Sequence, residues 1–222
     1  MTTGLGSELT ELIPLALVIT LSPLTIIPGI LMLHTPTPRP TSMAFLTGWV
    51  LGIGGLTAVL VLVSNALGGL NRQPTWAPYF RIVIGAALIV FGLYRWFTRK
   101  RSQHTPKWLT SMTRIGPARA FVTALVLVVV NPKVLFMCAA AGLAIGSAGL
   151  GTTGAWTADA VFTAVAASSV ALPVLAYLVA GERLDEPLTK LKDWMEAQHA
   201  TLVAAILIVI GVMVLYKGIH GL

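Results

Sequence analysis

Two short stretches hold the residues whose types and spacing could do chemistry. Ser22-Pro23-Leu24-Thr25-Ile26-Ile27-Pro28-Gly29 sets two prolines five positions apart in an apolar run, and Asn131-Pro132-Lys133 interrupts another. Proline has no N–H and its ring crowds the carbonyl four residues earlier, so each stretch breaks or kinks a helix. At membrane depth the freed backbone groups are satisfied only by protein or by a wet cavity, so such breaks point to a binding site. Lys133 sharpens this, because an ammonium in mid-span costs about 2.5–3.5 kcal/mol and must face the bundle interior or water, where it favours an anionic group. The candidate binding residues are therefore Ser22, Pro23, Thr25, Pro28, Asn131, Pro132 and Lys133. A plainer reading stands beside each: Ser22 and Thr25 bonding the carbonyls that proline releases, and Lys133 bonding those freed by Pro132. Asp159, near the outer end of a later apolar run, is either a proton-coupling acid or a helix-start charge at the interface. Pro14 and Pro173, each taken alone, read as tolerated kinks.

Other chemistry is poorly represented. No zinc motif, phosphate-binding glycine loop or nucleophile elbow occurs, and Gly52-x-Gly54 neither follows a strand nor opens a helix. His34 sits in a Thr-Pro loop without a companion ligand, and the single cysteine, Cys138, excludes an internal disulfide. The expectation is a protein without metal or cofactor, one that is not an enzyme and cannot hydrolyse ATP.

The elements that must position these residues are membrane helices. The 222 residues are 56% hydrophobic and 10% charged, against about 25% charged in a soluble domain. Apolar runs near Leu9 to Leu33, Ser42 to Leu67, Pro78 to Phe97, Ala118 to Ile145, Trp156 to Ala180 and Thr201 to Tyr216 predict six spans of roughly 20 residues each. The net charge of +7 is explained by orientation and not by nucleic acid. Arg95, Arg99, Lys100, Arg101, Lys107, Arg114 and Arg119 crowd the centre of the chain; with Arg39, Arg183, Lys190 and Lys192 they put eleven bases on one side, against Arg72, Arg81 and Lys217 on the other. The positive-inside rule then places the central segment in the cytoplasm and both termini outside it. The first residues carry Glu8 and no base, unlike a signal peptide, so the first span is expected to be retained.

The predicted fold is an all-α integral membrane protein: six transmembrane helices as two inverted three-helix repeats with broken first helices, residues 1–97 and 118–222, joined by a basic cytoplasmic linker at 98–117. Three spans per half is odd, so the second half enters with opposite orientation, and paired discontinuities in inverted repeats converge on one site. Gly48 with Gly52, and Gly142 with Gly146, have the small-xxx-small spacing of close helix packing, either within one protomer or at a homodimer face. Trp76, Trp96 and Trp156 fall at span ends. After the fifth span, Asp185 and Pro187 open a segment with Leu184, Leu188, Leu191 and Met195 at helical spacing, a helix lying on the cytoplasmic membrane surface.

These two motifs, with six spans and a basic linker, resemble the lysine-exporter superfamily, and within it the actinobacterial lipid-addressing branch of sulfolipid- and peptidoglycolipid-addressing proteins. The resemblance implies export of an envelope glycolipid or other amphiphile at the cytoplasmic (inner) membrane, driven by the proton gradient or by a partner, with membrane lipids and a larger lipid-export pump as partners. One alternative is an exporter of amino acids or another small polar metabolite, although few intramembrane acids await a cationic substrate. The other is a non-conducting adaptor for such a pump.

Overall fold

The computed structural model describes residues 2–66 and 114–197, with isolated helical residues at 86, 89, 90, 93, 94, 97, 205, 208, 212, 215, 216 and 219. The chain divides into two compact units, 1–71 with 106–192, and 72–105 with 193–222. The first contains nearly all of the described helices. The expected third and sixth spans, and the linker up to 113, lie outside the continuously described residues.

Among the described residues every regular element is helical: α1 (Thr2–Thr20), α2 (Pro23–Leu33), α3 (Pro38–Ala66), α4 (Pro117–Val130), α5 (Pro132–Ser147), α6 (Gly151–Ala180), a 3-10 turn (Gly181–Leu184) and α7 (Asp185–Ala197). α3 and α6 are each long and apolar enough to cross a membrane. The pairs α1–α2 and α4–α5 each qualify as one span bent at its break, by 54° and 72°, which makes up to four spans among the described residues. The helices overrun the expected boundaries. α3 starts at Pro38 because proline at the first helical position sacrifices an N–H that has no partner there anyway. α6 starts at Gly151, five residues before Trp156.

Long-range contacts fix the directions of packing. Gly48 abuts Phe121 and Ala124 while Gly52 abuts Leu125 and Val128, so α3 runs parallel to α4; Gly142 abuts Thr57 and Leu60, and Gly146 abuts Ser64, so it also runs parallel to α5. A Cβ on Gly48 would stand 2.5 Å from the Phe121 carbonyl oxygen, and one on Gly146 2.5 Å from Ser64 Cβ, so both glycine pairs serve close approach within the protomer. α6 runs with the other broken span: Thr20 reaches the Val165 carbonyl and Gly29 packs on Val170. It runs against α3, with Gly54 facing Thr163. Each straight helix therefore rests on the broken span of the other part of the chain, α3 on α4–α5 and α6 on α1–α2, and the two straight helices cross each other.

At the end of this bundle α7 forms as the sequence predicts, beginning at Asp185. Leu188 is buried, while Glu186 and Lys190 form an exposed i,i+4 ion pair. His34, just after α2, lies 3.1 Å from the Thr189 hydroxyl through Nε2 and thereby ties this helix to the end of the first span.

Candidate functional site

At the first break, Pro23 offers no N–H to the Ile19 carbonyl. That carbonyl accepts instead from the Ser22 N–H at 3.1 Å and from the Thr25 hydroxyl at 2.9 Å. The same hydroxyl lies 2.6 Å from the Ser22 carbonyl. Both side chains are buried, and Ser22 stands as the extended residue before α2 without making a side-chain cap. Thr25 thus does what the plainer sequence reading assigned to it, mending the backbone that proline opened. Pro28 is buried inside α2.

At the second break, Asn131 is the extended residue between α4 and α5, and its side-chain oxygen accepts the Lys133 N–H at 3.1 Å, an N-cap that satisfies one of the orphan donors of α5. Pro132 is exposed at the first helical position, and Lys133 is half-buried. Among the described residues no carboxylate pairs with Lys133. The two broken spans touch where α1 packs on α5, although among the described residues no hydrogen bond joins the Ser22–Thr25 cluster to the Asn131–Lys133 cluster.

Asp159 lies about two turns inside α6, not in its first turn, so the helix-start reading fails: the helix begins eight residues earlier. It is buried, 3.5 Å from the Thr163 hydroxyl, and borders a cavity of about 290 Å³ between α3, α5 and α6 that Asn65, Thr152 and Trp156 also line. Trp156, expected only to anchor the interface, thus takes part in a cavity wall.

Along the inner face of α3, and on α6, lie buried polar groups that the motifs do not announce. The Ser64 and Ser169 hydroxyls and the Trp49 indole N–H are buried without a hydrogen-bond partner among the described residues, whereas the buried Thr57 hydroxyl faces the Cys138 thiol. Trp49 and Ser64 stand fifteen residues apart on α3, about 22 Å of helix, so these groups are separate orphans and each carries its own desolvation cost. Spacing carried part of this signal, since Trp49, Thr57 and Ser64 share one face of α3 and Asp159 and Thr163 stand four apart on α6.

A family model described as Sap, sulfolipid-1-addressing protein, matches residues 12–220, a stretch that includes both breaks and Asp159. The chain belongs to the sulfolipid-1-addressing protein family. No curated protein and no solved structure matches it. The sulfolipid-1-addressing family membership covers nearly the whole chain.

Proposed function

We propose that this protein moves an envelope glycolipid or another amphiphile outward at the cytoplasmic membrane, either by conducting it or by delivering it to a larger export pump. The observation that carries this reading is the pair of helix breaks, each mended by its own neighbours, in two spans that touch and that are gripped crosswise by α3 and α6. Such discontinuities persist in a bilayer only where they line a cavity or are buried in protein. Lys133, half-buried and without a carboxylate partner among the described residues, suits an anionic headgroup.

The reading includes two inverted repeats, residues 1–97 and 118–222, around the basic linker at 98–117. The reciprocal packing supports it, because exchanging α1, α2 and α3 with α4, α5 and α6 maps the contact of α3 with α4 onto that of α6 with α1, and leaves the α3–α6 crossing as itself. The antiparallel run of α3 against α6 is what an odd number of spans per half requires. Ser22, Pro23, Thr25, Pro28, Asn131, Pro132 and Lys133 form the substrate path, and Asp159, facing the outer cavity, takes up protons that drive transport. The protein performs no covalent chemistry in this reading.

The membership in a family named for sulfolipid addressing supports a lipid substrate. The Asp159 cavity favours a second reading, since about 290 Å³ with one buried carboxylate suits a small cationic metabolite better than a lipid. Comparing inner-membrane and surface lipids with and without the protein separates them. A lipid held back in the inner membrane supports the first, and unchanged lipids with an accumulated intracellular amine support the second.

A further inference from the structure

The antiparallel packing of α3 and α6 brings the start of one beside the end of the other. Thr37, Arg39 and Pro40 on one side, and Tyr177, Gly181 and Arg183 on the other, enclose a cleft of about 640 Å³. Its charged lining residues are two arginines, both exposed, and among the described residues neither makes an ion pair. Positive potential accumulates here from a third source, the N-terminal end of α3. Pro38 and Pro40 have no N–H, and the Thr41 N–H returns to the Thr37 carbonyl at 3.2 Å, so the Arg39 N–H remains as a first-turn donor.

The local backbone builds this arrangement. Gly181 closes α6 at φ 62° and ψ −144°, a conformation essentially reserved for glycine, and it turns the chain so that Arg183 lines the cleft. Two guanidinium forks around one hollow match the oxygens of a phosphate or sulfate ester, which each can bind in bidentate fashion. The cleft lies where α3 begins and α6 ends, the level at which two helices long and apolar enough to span the membrane meet the headgroups, so a lipid ester reaches it without leaving the bilayer.

We infer that this cleft holds the phosphate or sulfate ester headgroup of a membrane amphiphile between Arg39 and Arg183. It is the loading site on the side assigned to the cytoplasm, and none of the residues at the helix breaks lines it. The loading role rests on the amphiphile-export reading, whereas the binding itself does not. The rival explanation is that the two arginines only anchor the membrane interface, as Arg119 does where it stands exposed in the first turn of α4.

Native mass spectrometry of the purified full-length chain, titrated with phosphatidylglycerol or phosphatidylcholine, tests the site. Selective retention of phosphatidylglycerol is expected, weakened about tenfold by Arg39→Gln or by Arg183→Gln. Arg183→Lys should weaken it less, which separates lost charge from a misfolded variant, and Arg119→Gln should change nothing. Equal retention by Arg39→Gln, Arg183→Gln and the unsubstituted chain, or an equal loss with Arg119→Gln, would overturn the site. Displacement of the lipid by equimolar inorganic phosphate would overturn the lipid as its occupant. Because no transport is measured, a failure of export in cells leaves this result standing, and the reverse also holds.

Discussion

The Thr25 hydroxyl lies 2.9 Å from the Ile19 carbonyl, the acceptor that Pro23 leaves without its helical donor, and 2.6 Å from the Ser22 carbonyl. One side chain thus mends the break between α1 and α2. Thr25→Val keeps the shape and removes both hydrogen bonds, and it should lower stability by about 1–3 kcal/mol, the range for buried polar groups that lose a partner. Thr25→Ser should recover most of it. Thermal unfolding of the purified variants reads this directly, and an unchanged midpoint for Thr25→Val would show that water replaces the hydroxyl.

Lys133→Met retains length and apolar stem without the charge. The amount of protein in the membrane should be unchanged or raised, since the insertion cost of the ammonium disappears, while surface delivery of the amphiphile is lost. Lys133→Arg should keep part of the delivery. Normal delivery by the Met variant removes Lys133 from the site, and loss of the protein itself assigns the lysine a structural role.

Asp159→Asn removes the ionisable group from the outer cavity but keeps an acceptor for the Thr163 hydroxyl. Delivery driven by the proton gradient should stop while protein abundance stays constant. Delivery in Asp159→Asn cells that still collapses on adding an uncoupler would place coupling elsewhere, in another residue or a partner.

Gly48 and Gly55 provide a matched pair on α3. A Cβ at Gly48 meets the Phe121 carbonyl oxygen at 2.5 Å, and one at Gly55 meets nothing within 4 Å. Gly48→Ala should destabilise by about 1–3 kcal/mol through overpacking. Gly55→Ala should be neutral or stabilising by up to about 1 kcal/mol through helix propensity. Equal unfolding midpoints for the two variants would contradict the parallel packing of α3 on α4.

Reporter fusions after Thr98 and at Leu222 should report opposite sides of the membrane, with the Thr98 fusion in the cytoplasm, because eleven bases stand on that side against three. A Thr98 fusion found outside would reverse the assignment of the arginine cleft and of α7 as well.

By itself the sequence determined the membrane character, the position of both helix breaks and the amphipathic helix after α6. Each follows from local physics. Mean hydropathy is a property of a run, a proline disables its own N–H and the carbonyl four residues back, and α7 shows its amphipathic pattern within thirteen residues. Tertiary structure alone decided which polar groups are occupied and which are orphaned. Ser22-Pro23-Leu24-Thr25 allows the Thr25 hydroxyl either to bind substrate or to mend the backbone, and only the fold shows it bonded to two carbonyls; the spacing puts Ser64 and Trp49 on one face of α3 without saying that their polar atoms are left unpartnered. The depth of Asp159 depended on where α6 begins, and the meeting of Arg39 with Arg183 depended on α3 and α6 lying antiparallel. The physical reason is that lipid is as apolar as a protein core, so membrane helices carry little periodic contrast between their faces. Which face turns inward is then settled by close contacts between residues far apart in the chain, such as Gly48 on Phe121 and Thr20 on Val165.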